Sequence, residues 1–96
     1  MPVVHIPTHM RDATDGHARV TVSGSTLRAI FDDLARAYPE LKPLIFDARD
    51  RIQGNLAIAI NATVTENNLL ARVEDSDEIH LVPAIGGGQQ ARARQR

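Results

Sequence analysis

The residues with the clearest chemical possibilities are three glycines near the end of the chain, Gly86-Gly87-Gly88, which follow the apolar run Leu81-Val82-Pro83-Ala84-Ile85. No acidic or nucleophilic side chain accompanies them, so any chemistry there belongs to the backbone. Glycine lacks a Cβ and adopts φ values closed to other residues, so it fits an extended chain into a narrow channel. If the chain were cut after Gly88, the working group would be the freed Gly88 carboxylate. The competing reading of the triplet alone is a flexible linker to a tail. That tail, Gln89 to Arg96, carries Arg92, Arg94 and Arg96 and no acid.

Other side-chain constellations offer less. The chain has no cysteine, which excludes disulfides, thiolate metal sites and a cysteine nucleophile. Asp32 and Asp33 occupy adjacent positions of an expected helix and face different directions. Asp75 and Asp77 sit in an expected turn, where aspartate serves the backbone. Ser23-Gly24-Ser25 lacks the lysine and the spacing of a phosphate loop. His5 and His80 become cross-strand neighbours if the first and last strands pair, and His9 and His17 lie in or beside one loop. None has the helical HxxxH spacing of a zinc site, so no metal is expected.

Ninety-six residues make one domain. The hydrophobic fraction of 43% suits a folded core, and the aromatic fraction of 3% makes that core aliphatic. Up to Gly88 the chain holds eight basic residues against twelve acidic ones. That balance does not suit nucleic acid, which wants a clustered basic face. No apolar run reaches the roughly 20 residues of a membrane span. The start lacks a signal peptide's charged and apolar regions, so a cytoplasmic protein is expected.

The elements follow from periodicity. Strands are expected at Val3–Ile6 and Ala18–Val22, with Val4, Ile6, Val20 and Val22 inward, separated by a polar loop from Thr8 to Gly16. Thr26 is the expected N-cap of a helix from Leu27 to Tyr38, stopped by Pro39. Leu27, Ile30, Phe31, Leu34 and Tyr38 form its apolar stripe, and Arg28, Asp32 and Arg36 alternate in sign on the other side. A short helical turn is expected at Pro43–Phe46. Further strands are expected at Leu56–Asn61, weakly near Thr63-Val64, and at Glu78–Pro83. Leu56, Ile58 and Ile60 should face the helix, and Ala57 and Ala59 away. One amphipathic helix across a half-apolar sheet satisfies both buried faces. The expected fold is α+β, a β-grasp (ubiquitin-like) domain with a mixed four- to five-stranded sheet and one main helix. Its boundaries are 1–85, with a Gly-rich terminus at 86–88 and a disordered, removable tail at 89–96.

Three stretches carry a family likeness. Asp77-Glu78-Ile79-His80-Leu81-Val82-Pro83-Ala84-Ile85-Gly86-Gly87-Gly88, Ile6-Pro7-Thr8 with Arg11, Thr14 and Gly16, and Thr26-Leu27 through Tyr38-Pro39 resemble the MoaD/ThiS family of ubiquitin-like sulfur-carrier proteins. The opening is most similar to the cysteine-biosynthesis branch. The resemblance implies a carrier and not an enzyme. An E1-like partner would adenylate the terminal glycine carboxylate, using ATP and Mg²⁺ at its own site, and a sulfur donor would convert the adenylate to a thiocarboxylate. A sulfur-accepting biosynthetic enzyme would then take the sulfur. No cofactor binds the carrier itself. Gly87 and Gly88 are the working pair that the resemblance implies. Pro83, Ala84, Ile85 and Gly86 would lie in the partner's channel, which an extended chain from Pro83 to Gly88 enters to a depth of roughly 20 Å at about 3.3 Å per residue. Ala57 and Ala59, with Val82 alongside, are candidates for a small apolar docking patch or are ordinary surface residues. The tail departs from the family pattern. It implies a pro-form cut after Gly88 by a metalloprotease of the JAMM type. A ubiquitin-like modifier joined to lysines through Gly88, or a β-grasp interaction module, is the alternative.

Overall fold

The computed structural model describes residues 1–65 and 68–83. Strands β1 (Val3–His5) and β2 (Arg19–Thr21) precede helix α1 (Leu27–Ala37) and the short helix α2 (Lys42–Ile45). Strands β3 (Leu56–Ile60), β4 (Thr63–Val64) and β5 (Glu78–Pro83) follow. The sheet order is β2-β1-β5-β3-β4, which places the last strand at the centre. β5 runs parallel to β1, with Val4 opposite Ile79, and antiparallel to β3, with Ile58 opposite Leu81. The described part is the expected β-grasp arrangement. The boundaries expected at 85/86 and 88/89 lie outside the described residues.

Helix α1 forms for the reasons its sequence offers. Thr26 takes an extended conformation and its hydroxyl oxygen accepts the Ala29 amide at 3.2 Å, which satisfies one of the free N–H groups of the first turn. Just upstream, Gly24 has φ +148°, and a Cβ there would lie 2.9 Å from the Ile30 nitrogen. Only glycine lets the β2 exit pass so close to the helix. Tyr38 ends the helix before Pro39, which opens a single 3₁₀ turn leading into α2.

The apolar stripe buries as its spacing requires. Leu27, Ile30, Phe31 and Leu34 pack on Val4, Ile6, Leu56, Ile58, Ile79 and Leu81 of the sheet's inner face. Each such side chain contributes about 1.5–3 kcal/mol by leaving water. Phe31 meets Phe46 edge-on, with ring centroids 6.2 Å apart. Ile60 is only half-buried because β3 turns into β4 there through Asn61.

Two expectations need correction. The segment Thr8–Thr14 is not a polar loop but a 3₁₀ helix that buries Met10 and Thr14. The Thr14 hydroxyl satisfies itself on the carbonyls of His17 at 2.8 Å and Arg11 at 3.2 Å, so a polar residue is carried inside without an open hydrogen bond. Asp15 (φ 56°) and Gly16 (φ 85°) then turn the chain out of the segment. Charge alternation on α1 is also only partly right. Arg28 pairs with Asp32 at 3.4 Å, but it reaches Asp50 at 2.7 Å as well. Arg36 pairs with Asp33 at 2.8 Å.

Replacing Thr26 by Ala removes the cap acceptor. Thermal unfolding should show a loss of about 1 kcal/mol, a fall of roughly 4–8 °C for a domain of this size. Thr26→Ser should retain most of the stability, and equal losses in both variants would exclude the cap as the cause.

Candidate functional site

The site begins where β5 leaves the sheet. Glu78 to His80 are flanked by β1 on one side, and Ile79 to Pro83 by β3 on the other. β1 ends at His5, opposite His80, so Leu81 to Pro83 continue with a strand neighbour on the β3 side. Pro83, opposite Leu56, has no N–H to donate and closes the strand. The last described residues of the chain thus belong to the central strand of the sheet. Ala84, Ile85, Gly86, Gly87 and Gly88 lie outside the described residues.

The opposite end of β5 is pinned by a polar clasp. Asn61 sits in the left-handed region at φ 57°. Its side-chain amide donates to the Asp77 carboxylate at 3.0 Å, and its side-chain carbonyl accepts the Glu78 amide at 3.0 Å. Its backbone N–H donates to the Glu78 carbonyl at 2.7 Å. Asp77 also accepts the Glu74 amide at 2.8 Å. The Glu74 amide first, and the Asn61 side chain second, hold the Asp77 carboxyl below its ordinary value of 3.8, against a smaller opposing effect of burial. Asp77 therefore fixes the register with which the last strand enters the sheet. This is the turn role read from its type, now with its partners named.

The outer face of the sheet carries the expected apolar side chains, unequally exposed. Ala57 is paired with Val82, which is 44% exposed, while Ala59 sits between His80 and Val64 and is only 8% exposed. Ala59 thus offers little surface, because its two strand neighbours cover it. Val64, 62% exposed, extends the strip; the weak strand expected at Thr63-Val64 is present as β4, but its pairing with Ala59, which puts Val64 on this face, was not foreseen. The carboxylate pairs do not converge. Asp32 serves Arg28, and Asp33 accepts the Ser23 amide at 3.0 Å besides Arg36. A groove beside α2, lined by Arg28, Pro39, Lys42, Phe46 and Gln53, was not anticipated either; it forms where the Arg28 guanidinium lies over the Phe46 ring, 5.0 Å from its centroid. No helix among the described residues is long and apolar enough to cross a membrane.

The comparisons with known proteins meet this geometry at the same place. The model of the ThiS family matches residues 4–88, from the first strand to the last glycine. The chain belongs to the ThiS family. Its sequence is 31% identical over 91 residues to the sulfur carrier protein CysO of Mycobacterium tuberculosis, covering 88% of this chain and 96% of that protein. A chain in the crystal structure of the Amycolatopsis orientalis BexX/CysO complex superposes with TM-score 0.83 at 27% identity, covering 92% of this chain and all of that one. The solution structure of small archaeal modifier protein 1 from Methanosarcina acetivorans gives TM-score 0.76 at 29% identity, covering 91% and 95%. The family resemblance drawn from the glycine end, the opening and the helix is therefore correct, and among ThiS-family proteins the likeness to CysO agrees with the branch suggested by Ile6-Pro7-Thr8.

Because the folded pKa of Asp77 is depressed, its contribution to stability is complete above 3.8 and is lost as pH falls through the lower folded value. Asp77→Asn should be less stable than wild type at neutral pH, and the gap in urea midpoint should shrink on acidification below 3.8. A gap independent of pH would mean that Asp77's charge contributes nothing.

Proposed function

We propose that this chain is a sulfur-carrier protein that works through the carboxylate of Gly88 after Gln89 to Arg96 are removed. The observation that carries the reading is the family match ending at Gly88, eight residues before Arg96. A metalloprotease of the JAMM type hydrolyses the Gly88–Gln89 bond and exposes the carboxylate. An E1-like enzyme then joins that carboxylate to the α-phosphate of ATP, releasing pyrophosphate. The acyl-adenylate is a good electrophile because AMP leaves readily, whereas a free carboxylate is a poor one. Sulfide released by a donor attacks the acyl carbon, AMP leaves with the bonding electrons, and a thiocarboxylate results, which passes its sulfur to a biosynthetic enzyme for cysteine or methionine, a cofactor or a specialised metabolite.

The carrier's contribution is positional. The activating partner supplies the nucleotide site, Mg²⁺ and charge stabilisation. Gly87 and Gly88 supply a thin terminus, with Pro83, Ala84, Ile85 and Gly86 lining its approach. Val82 and Ala57 supply the docking strip, with Ala59 next to Ala57 on the same face but covered by its strand neighbours. The cytoplasm, where ATP is available, is the setting for this chemistry.

The likeness to small archaeal modifier protein 1 favours a second reading, in which Gly88 is joined to lysine amines of other proteins. The two readings share the adenylate and differ in the nucleophile that attacks it.

Residues 1–88, given the activating enzyme, ATP and sulfide, should gain the mass of one sulfur-for-oxygen exchange and release pyrophosphate. Residues 1–96 should do neither until cleaved. Activation of the uncut chain would sink the pro-form, and isopeptide ladders without sulfur incorporation would favour the modifier.

A substitution separates docking from folding. Val82→Asp should weaken binding to the activating enzyme about tenfold or more, as loss of a central apolar contact does at about 1.4 kcal/mol per decade, with little change in unfolding temperature. Ala59→Asp should instead destabilise the domain, since Ala59 is covered. Unchanged affinity for Val82→Asp would remove the outer strip from the interface.

A further inference from the structure

The centre of the outer sheet face holds a group that the sulfur chemistry does not use. His5 and His80 are register partners across the parallel β1–β5 pair, and their rings stack with centroids 4.3 Å apart and planes within 7°. Glu78, two residues before His80 and on the same face, brings Oε1 to 2.6 Å from His5 Nε2. One ligating atom from each of His5, Glu78 and His80 can be chosen so that all three lie within 4.8 Å of one another.

We propose that His5, Glu78 and His80 form a binding site for a divalent transition-metal ion, with Zn²⁺ the best fit. Two imidazoles and one carboxylate are a donor set that zinc accepts, at about 2.0–2.1 Å for nitrogen and about 2.0–2.2 Å for oxygen. Tetrahedral coordination at those lengths sets neighbouring donors about 3.3 Å apart. The observed spacing brackets that value, but the lone pairs of imidazole lie in the ring plane, so the two rings must turn out of their parallel stack about side-chain torsions to aim at one ion. The backbone register holds two of the donors together, because pairing of His5 with His80 is set by the central strands. The ion would take the place of the direct contact between His5 and Glu78.

The surroundings permit entry. The His5 side chain is 27% exposed and that of Glu78 56%. Ala59, opposite His80, is too small to close the face. Arg19, opposite His5 on β2, is exposed, and its charge opposes the ion. Three protein donors leave a fourth position for water or for a donor from a protein seated on this face. Zinc motifs legible in a sequence are the helical spacings. A site assembled from i, i+2 on one strand and a residue 73 positions away has no such signature.

The test uses residues 1–96, first stripped with a chelator. Titration with Zn²⁺ alone by calorimetry should show one equivalent bound, and Co²⁺ should give the visible absorption of a low-symmetry site. At free Zn²⁺ 100-fold above Kd the unfolding temperature should rise by roughly 11–22 °C. His5→Ala and His80→Ala should each weaken binding by at least the roughly 10–100-fold that even an outer-shell change costs. Circular dichroism checks that these variants fold, and His5→Gln and His80→Gln repeat the test if they do not. The double change His9→Ala, His17→Ala should bind as wild type does. Absence of binding at 1:1 stoichiometry would overturn the site and leave a cross-strand hydrogen bond with a stacked pair. Binding that survives loss of His5 or His80, or vanishes with His9 and His17, would overturn it equally.

Discussion

The interaction on which the rest of the structure depends is the pairing of β5 between β1 and β3. The last strand to be made is the central one, so the domain closes only when residues 78–83 have found two partners. That pairing joins the two ends of the sequence, completes the apolar floor under α1 with Ile79 and Leu81, and sets where the chain leaves the sheet. The Asp77–Asn61 clasp at the start of β5 matters for the same reason. A slip of one residue would turn Ile79 and Leu81 outward and carry His80 and Val82 into the core.

This construction separates stability from chemistry. The apolar stripe of α1 and the inner face of the sheet hold the domain, while the charged residues of α1 serve ion pairs and the Ser23 amide. Asp32, Asp33 and Asp77 bond to neighbouring side chains and backbone amides. What remains for a partner is an end of the chain and an outer face. The proposed use of the Gly88 carboxylate asks of the rest of the chain an anchored body, which the aliphatic core supplies.

Much of this was legible from the residues. Thr26, the apolar positions of α1 and Pro39 defined the helix because local rules and tertiary burial agree there. The alternation in β3 and β5 gave the inner face directly. Reading failed where the deciding contact is remote or backbone-made. Thr8–Thr14 has loop composition, yet Met10 and a self-satisfied Thr14 turn it inward. Arg28 finds Asp50 across 22 positions, which no helix rule foresees. Ala59 alternates outward as expected, but only the β3–β4 and β3–β5 registers reveal that its neighbours cover it. The approach of Glu78 to the His5–His80 pair likewise requires the parallel register of β1 and β5.

The central claim is that Gly88 ends the working form of the protein and bears its sulfur. Intact mass spectrometry of the protein drawn from its native cells, while they make the sulfur-dependent product, tests this most directly. The account predicts a chain ending at Gly88, a fraction of it heavier by one sulfur-for-oxygen exchange. A population retaining Gln89 to Arg96 throughout, in cells that still make the product, would contradict it.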